Sequence, residues 1–304
     1  MPIATDAFST TEEVLLFADS EAGMARGEML VRSVGIRLGQ GAPIEDALAI
    51  LDARLHVDLV VVDASRDHGA TLDALLDRLR QAAVERRHAS VVRVTPELID
   101  VAVARGSHDD VFLLCEASEA DRVAAMTLAL ATQCTPFLLR ERDSDPRLLQ
   151  LSEEVGRIAQ TLARLSSNGS PLDQLALLGG ANDPIQPGTP PTAAIVRAAI
   201  RARRLRDQFF ASELFADPAW DMLLDLMAAR LEGRQVAVSS LCIAAAVPAT
   251  TALRWIKTLT DEGLFRRIAD PRDGRRVFIE LSEDAALAMT AFFQTLSRSW
   301  TVIG

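Results

Sequence analysis

The sequence predicts two domains: an α/β domain built on a doubly wound, five-stranded parallel sheet, followed by a mainly α-helical domain. Between residues 12 and 131, short apolar runs alternate with stretches of helical periodicity, which is typical of a parallel sheet covered by helices on both faces. Residues 169–191 are dense in glycine and proline and end this pattern. From Thr192 onward the periodicity is mostly helical, and 304 residues leave room for two domains of ordinary size.

The strands of the α/β domain are predicted from runs that are apolar on both faces. The clear runs are Val14–Phe17, Val57–Val62, Ser90–Val94 and Val111–Leu114, with a weaker one at Val34–Leu38. Residues Phe137–Leu139 are a candidate for a further edge strand. The intervening helices are predicted at Met24–Val34, Ile44–Arg54, Leu72–Arg86, Pro96–Arg105 and Glu119–Ala131.

A heptad pattern follows the α/β domain in residues 144–168. Its apolar positions step alternately by three and four residues: Leu148, Leu151, Val155, Ile158, Leu162 and Leu165. Because only the a and d positions are consistently apolar, we interpret this helix as a candidate dimer seam; the alternative is a helix packed on its own domain. The predicted boundaries are therefore 1–143 for the α/β domain, 144–168 for the heptad helix, 169–191 for the linker and 192–304 for the second domain.

Charge is divided unevenly between the two domains. The chain carries a formal net charge of −10, of which the first 190 residues contribute −12 and the remainder +2. An acidic protein is not expected to bind a polyanion, but this expectation does not apply to the second domain, because its own net charge is slightly positive.

Several classes of protein are excluded by the sequence. No apolar run approaches the roughly 18 residues that cross a bilayer, and the first residues, MPIATDAFSTTEE, lack the basic start and apolar core of a secretory signal. The cysteines Cys115, Cys134 and Cys242 are too widely spaced for a disulfide framework or a zinc site. We therefore expect a cytoplasmic protein with no membrane partner and no bound metal.

The second domain contains a helix-turn-helix candidate followed by a hairpin. A short helix, Ser239–Ala246 with Ser239 as its cap, precedes a turn and a second helix at Thr250–Glu262. Two segments of alternating polarity, Leu264–Ile268 and Val277–Leu281, then flank a polar turn rich in arginine. This order predicts a hairpin with a basic tip directly after a recognition-type helix.

These segments resemble the MarR-type winged helix-turn-helix family over about residues 192–304. The resemblance is carried by Ala252–Leu264 (ALRWIKTLTDEGL), by Asp270–Arg276 (DPRDGRR) and by the pair Leu281-Ser282. It implies a homodimer, formed largely by the first and last helices of the domain, that binds double-stranded DNA.

Seven side chains are candidates for DNA contact. They are Thr250, Thr251, Arg254 and Lys257 on the recognition helix, and Arg272, Arg275 and Arg276 in the hairpin tip, or wing. The helical stripe predicted to face the core is Ala252, Trp255, Ile256 and Leu259. Arginine suits bidentate contact with guanine, threonine suits a phosphate or a thymine methyl group, and wing arginines suit the phosphate backbone or the minor groove. Two alternatives stay open: the domain binds only protein, or Arg272 pairs with Asp270 or Asp273 to hold the wing's shape.

The first domain resembles the receiver domain of two-component signalling over about residues 12–131. The ligand of such a sheet binds beyond the carboxyl ends of the strands, where Asp19, Asp63 and Thr95 are expected. The resemblance implies that Asp63 matches the phosphoryl acceptor, Asp19 one acid of the Mg²⁺-binding pair and Thr95 the switch hydroxyl. In that family a lysine of the fifth strand pairs with the phosphoryl group. Here that lysine is missing and Glu116 follows the strand, where a carboxylate repels a phosphoryl group. We therefore expect a degenerate receiver, with a functional acceptor at Asp63 and a plain scaffold as alternatives.

The sequence contains none of the common catalytic motifs. The four histidines are isolated, and there is no dinucleotide fingerprint, Walker loop or nucleophile elbow. The prediction is a homodimeric transcription regulator without catalytic residues or cofactor, bound to a pseudo-palindromic DNA site. The alternatives are a phospho-responsive signalling protein and a protein-interaction adaptor. A small-molecule effector is not identified.

Overall fold

The computed structural model describes residues 13–54, 56–134 and 190–301. The heptad helix at 144–168, nearly all of the linker at 169–191 and the candidate edge strand Phe137–Leu139 lie outside the described residues. The dimer-seam interpretation and the domain boundaries therefore stay predictions.

The first domain confirms the predicted doubly wound fold, with a five-stranded parallel sheet in the order β2-β1-β3-β4-β5. The strands are β1 (Val14–Ala18), β2 (Leu38–Pro43), β3 (Leu59–Ala64), β4 (Ala89–Val94) and β5 (Val111–Cys115). The helices are α1 (Glu21–Ser33), α2 (Ala47–Ala53), α3 (Ala70–Val84), α4 (Ile99–Gly106) and α5 (Glu119–Cys134). Strands β1 and β3 are buried along their whole length, as their unbroken apolar sequences require.

The second strand was predicted at the wrong place. Instead of Val34–Leu38, the chain pairs with β1 through Leu38–Pro43, at the edge of the sheet. This strand, LGQGAP, is largely solvent-accessible, and such an edge strand does not need an apolar run. The helix predicted at Ile44–Arg54 is divided into a 3₁₀ turn, Ile44–Asp46, and the short helix α2.

The second domain is a winged helix. Its helices are α6 (Ala193–Leu205), α7 (Pro218–Leu231), α8 (Val238–Ala244), α9 (Ala249–Asp261) and α10 (Glu283–Thr301). Its antiparallel sheet, in the order β6-β8-β7, consists of β6 (Val236–Ala237), β7 (Phe265–Ala269) and β8 (Val277–Leu281). Strands β7 and β8 confirm the predicted hairpin, within one residue at each boundary.

The predicted cap of helix α8 is wrong. The helix begins at Val238, and the Ser239 amide and hydroxyl groups donate hydrogen bonds to the Asp100 carboxylate, at 3.0 and 2.7 Å. Asp100 lies in α4 of the first domain. A carboxylate from the other domain therefore stabilises the positive end of α8, a role that the local sequence does not reveal.

The predicted core stripe of helix α9 also needs one correction. Ala252, Ile256 and Leu259 are buried as expected, but Trp255 is 38% exposed, whereas Leu253 is only 9% exposed. Leu253 lies on the side of the helix that contacts the first domain. Helical periodicity identifies the side that faces the domain's own core, but it does not reveal a second buried side.

The two domains pack against each other. Helix α9 contacts β5, helix α8 contacts α4, and one cluster of buried apolar side chains extends from the sheet into the winged helix. In the part of the chain that the structure describes, no individual helix has the length and apolar character to cross a bilayer. Helices α8 and α9 pass that test only as a pair, with a bend of 108° between them.

Candidate nucleic-acid interface

Helix α9 has the position and the polar surface of a recognition helix. Pro248 precedes its first turn, and the chain leaves the helix through Gly263 at a φ of +72°, a backbone conformation that suits glycine. Between these ends, the helix presents Arg254 to solvent and leaves Thr251 half-buried. The predicted helix-turn-helix geometry is therefore formed.

The wing is shaped by hydrogen bonds inside its own turn. The Asp270 carboxylate accepts from the Arg272 amide at 2.9 Å, and the Asp273 carboxylate accepts from the Arg275 amide at 2.9 Å. The Asp270 amide also donates to the Arg276 carbonyl at 3.1 Å, which closes the turn. These acids hold the wing through backbone amides, so the side chain of Arg272 is not needed for the wing's shape.

Three of the seven DNA-contact candidates are exposed arginines: Arg254, Arg272 and Arg276. Within the described part of the chain, their guanidinium groups form no hydrogen bond or ion pair with other side chains. Charged groups left in solvent on a recognition helix and its adjoining wing are available to a polyanion.

Thr250 has a different environment. It is 3% exposed, and its hydroxyl group lies against the backbone of Cys115 at the end of β5. The contact joins the first turn of the recognition helix to the edge strand of the first domain. Thr250 is therefore not accessible to DNA while the domains are packed in this way.

Lys257 and Arg275 are also held by the first domain. The Lys257 ammonium group lies 2.7 Å from Asp109 and 2.7 Å from Asp261. Desolvation alone would lower the pKa of Lys257, but hydrogen bonds to these two carboxylates outweigh it and raise the pKa. The Arg275 guanidinium group contacts Asp67 at 2.7 Å and Asp73 at 3.0 Å, and its hydrogen bond lowers the pKa of Asp67.

The residue that matches a receiver's acceptor, Asp63, is a partner of two arginines. Arg26 of α1 donates to both carboxylate oxygens of Asp63, at 3.0 and 3.1 Å, and Arg93 of β4 donates to one of them at 2.9 Å. The Asp63 side chain is 6% exposed. Bidentate binding by Arg26 uses the oxygen atoms that a phosphoryl group or a cation would need.

Asp19 and Thr95 lie at the same end of the sheet, but no hydrogen bond joins them in the described residues. The Asp19 carboxylate accepts hydrogen bonds from Ser65, Arg66 and His68. Burial alone would raise the pKa of Asp19, but these bonds outweigh it and lower the pKa. Thr95 precedes the 3₁₀ turn after β4. Among the residues that the structure describes, no group of three or more His, Cys, Asp or Glu is placed to hold a metal ion.

Several residues at these sites were not identified from the sequence. Arg93 is the only charged residue of β4, which is a usable signal. Nothing local to Arg26 indicates that it reaches Asp63, 37 residues away. The acids that meet the winged helix come from four different places in the first domain: Asp67, Asp73, Asp100 and Asp109. Only the tertiary structure brings them to one face.

Comparison with known proteins agrees with this fold. Residues 224–285 match the family model described as a winged helix DNA-binding domain, which confirms the predicted winged helix. No curated protein matches the sequence. The helix-turn-helix and the wing thus lie within the residues that match this model, and this supports a role in transcription regulation.

Solved structures are similar to each half of the chain. A signal receiver domain of an HD domain-containing protein from Pseudomonas fluorescens Pf-5 is 24% identical, with 40% of this chain and 96% of that chain covered, at a TM-score of 0.32. The transcriptional regulator Tm0710 from Thermotoga maritima is 18% identical, with 36% and 75% covered, at a TM-score of 0.26. A mutant MarR from E. coli is 17% identical, with 35% and 75% covered, at a TM-score of 0.23.

Proposed function

We propose that this protein is a DNA-binding transcription regulator that acts as a homodimer through its winged helix. The observation that carries the proposal is a set of three exposed arginines, Arg254, Arg272 and Arg276, which pair with no other side chain among the described residues. They lie on the helix and wing of the domain that matches the winged-helix model. We assign the protein no catalytic residue and no cofactor, and we place it in the cytoplasm.

Each subunit is proposed to insert helix α9 into the major groove of one half-site. Arg254 then reaches base edges, while Arg272 and Arg276 in the wing follow the phosphate backbone or enter the minor groove. Thr251 adds to this accessible surface, and Thr250, Lys257 and Arg275 are proposed to complete it when the first domain does not cover them. The net charge of +2 in the last 114 residues suits this role, even though the whole chain is acidic.

The homodimer is proposed to form through α6 and α10, the first and last helices of the winged-helix domain, with the heptad stretch 144–168 as an additional seam. Exposed apolar side chains on α10 support this: Leu287 is 67% exposed and Phe292 is 44% exposed. A twofold pair of winged helices predicts a pseudo-palindromic DNA site.

For the first domain we propose a degenerate receiver rather than a phosphoryl acceptor. Arg26 and Arg93 form ion pairs with Asp63, and both oxygens of its carboxylate already accept hydrogen bonds from these arginines. No contact in the described residues favours the phospho-responsive alternative.

The test of DNA binding is a selection of genomic fragments by the purified full-length chain at low salt. We expect enrichment of a sequence with twofold symmetry, and loss of that enrichment in the double variant Arg254→Ala/Arg272→Ala. Arg230→Ala/Arg234→Ala is a matched control, because both are exposed arginines of the winged helix that pair with Glu283 and Glu232. No enrichment with any of these proteins contradicts the proposal and favours the protein-interaction adaptor.

A further inference from the structure

One face of the first domain is acidic where it meets the winged helix. It carries Asp67 after β3, Asp73 in α3, Asp100 in α4 and Asp109 before β5. All four carboxylates contact the winged helix, through Arg275, Ser239 and Lys257. At these distances the carboxylates accept hydrogen bonds from basic and hydroxyl side chains. The same side chains are donors that DNA phosphates would otherwise bind.

The centre of this interdomain contact is buried. The Thr250 hydroxyl binds the backbone of Cys115, and Cys115 is fully buried. Beside it, Leu253 of α9 and Leu114 of β5 line an apolar cleft of about 220 Å³. Arg267, next to this cleft, donates a hydrogen bond to Ser107 of the first domain, and desolvation lowers its pKa. A specific interface typically has buried apolar and hydrogen-bonded groups at its centre and charged pairs at its rim, and this contact has that arrangement.

This interface overlaps the proposed DNA surface. Thr250, Lys257 and Arg275 are in contact with the first domain, whereas Arg254, Arg272 and Arg276 remain in solvent. A duplex seated on helix α9 would need the space that the end of β5 occupies, because Thr250 lies in the first turn of that helix. The first domain and a DNA duplex therefore cannot occupy the complete surface together.

We infer that the first domain is a built-in competitor of DNA: its acidic face holds the recognition helix and wing of the same chain, and high-affinity DNA binding requires the two domains to separate. This inference rests on the proposed DNA-binding function. The rim pairs are solvent-accessible and therefore weak, so the contact is an equilibrium rather than a permanent lock. The apparent dissociation constant for DNA then equals the intrinsic constant divided by the fraction of open molecules.

The test measures DNA affinity in variants that weaken only the first domain's side of the contact. Asp67→Asn and Asp109→Asn remove one charge each from residues that are 46% and 74% exposed, so both variants are expected to fold. The probe is a fluorescently labelled duplex of mixed sequence, about 30 base pairs long, which is the length needed to cover two half-sites one helical turn apart. We expect the double variant to bind this duplex about three- to tenfold more tightly than the wild type.

The matched control removes the same two charges elsewhere. In Asp52→Asn/Glu85→Gln, the altered acids pair with Arg78 and Arg87 inside the first domain. If this control tightens binding as much as Asp67→Asn/Asp109→Asn, the gain reflects net charge alone and the inference is overturned. Equal affinity of all three proteins for DNA also overturns the inference, while the proposed function stands.

Hydrogen exchange gives a second readout that does not depend on affinity. The Cys115 amide donates to Thr250 across the interface, so its exchange in the full-length wild type should accelerate when the same duplex is added. DNA binding with unchanged protection at Cys115 contradicts the inference. If neither the wild type nor any variant binds DNA, both the inference and the proposed function fail.

Discussion

The Thr250 hydroxyl group accepts a hydrogen bond from the Cys115 amide at 2.8 Å and donates one to the Cys115 carbonyl at 2.6 Å. One side chain of the recognition helix thereby satisfies both backbone groups of the last residue of an edge strand, 135 positions earlier in the chain. An edge strand presents unpaired backbone groups that need a partner when they are buried. In this protein the partner is a residue that the sequence assigns to DNA contact.

Replacing Thr250 with valine keeps the shape of the side chain and removes both hydrogen bonds. We expect Thr250→Val to destabilise the interdomain contact by about 1–3 kcal/mol, because a buried amide and carbonyl lose their partner. The measurement is the free energy of opening from hydrogen exchange at Cys115. Thr251→Val is the control, since Thr251 is half-buried and has no such bond to Cys115. Unchanged exchange in Thr250→Val would show that the contact does not depend on this hydroxyl.

The ion pair between Asp67 and Arg275 gives the interdomain contact a defined pH dependence. The hydrogen bond from Arg275 lowers the pKa of Asp67 below its ordinary value of 3.8. A carboxyl group with a lowered pKa contributes stability above pH 3.8 and loses it as the pH falls through the lowered value. We therefore expect the pair to be intact at neutral pH and to weaken only in acid.

This pH dependence is measured by a carboxyl NMR titration of Asp67. In Arg275→Gln the pKa of Asp67 should rise toward 3.8, although the Gly69 amide still donates to the carboxylate and should keep the pKa somewhat lower. An identical titration in the wild type and in Arg275→Gln would contradict the pairing of the wing with the first domain.

Much of the fold follows from the sequence because its signals are local. Strands β1 and β3 lie in the middle of the sheet, and burial of both faces produces continuous apolar runs. Strand β2 pairs on one side only, so its sequence carries little apolar signal and the prediction missed it. The hairpin of β7 and β8 was predicted because alternation and a polar turn are both short-range features.

The candidate site was less predictable because it depends on long-range contacts. Helical periodicity assigned Trp255 to the core and left Leu253 outside, since it cannot register a second domain packed against the same helix. Asp63 was identified as a key position, but its partners Arg26 and Arg93 lie 37 and 30 residues away. Which charges meet is decided by the tertiary structure and not by spacing along the chain.

Asp63 is expected to act in stability rather than in phosphoryl transfer. Asp63→Asn removes the charge that pairs with Arg26 and Arg93, and we expect a loss of about 1–3 kcal/mol in the free energy of unfolding by urea. Asp52→Asn, which removes an exposed pair with Arg78, should change it by less than about 1 kcal/mol. Incubation with a small phosphodonor and Mg²⁺ should leave the intact mass of the wild type unchanged. A phosphoryl mass gain that disappears in Asp63→Asn would establish the phospho-responsive alternative.

Gly27 is required by the packing of α1 on the sheet. A Cβ atom at this position would lie 2.3 Å from Leu16 Cδ1 and 2.7 Å from Leu16 Cδ2, and Leu16 is fully buried. We expect Gly27→Ala to destabilise the protein by about 1–3 kcal/mol through overpacking, despite alanine's better helix propensity. Gly274→Ala is the control, because a Cβ there would contact nothing within 4 Å. Equal urea midpoints for the two variants would contradict this account.

Arg254 is the clearest candidate for reading a base, because it is exposed on α9 and forms no ion pair within the described residues. If it binds guanine, Arg254→Ala should weaken binding to the selected DNA by about 1–3 kcal/mol and weaken binding to random DNA much less. If it contacts only phosphate, both losses should be equal and the salt dependence should become shallower. Titrations of wild type, Arg254→Ala and Arg230→Ala against selected and scrambled duplexes at several salt concentrations separate these outcomes. Arg230 pairs with Glu283, so Arg230→Ala should bind both duplexes like the wild type. An equal loss in Arg230→Ala and Arg254→Ala would mean that the removal of positive charge, rather than base recognition, explains the weaker binding.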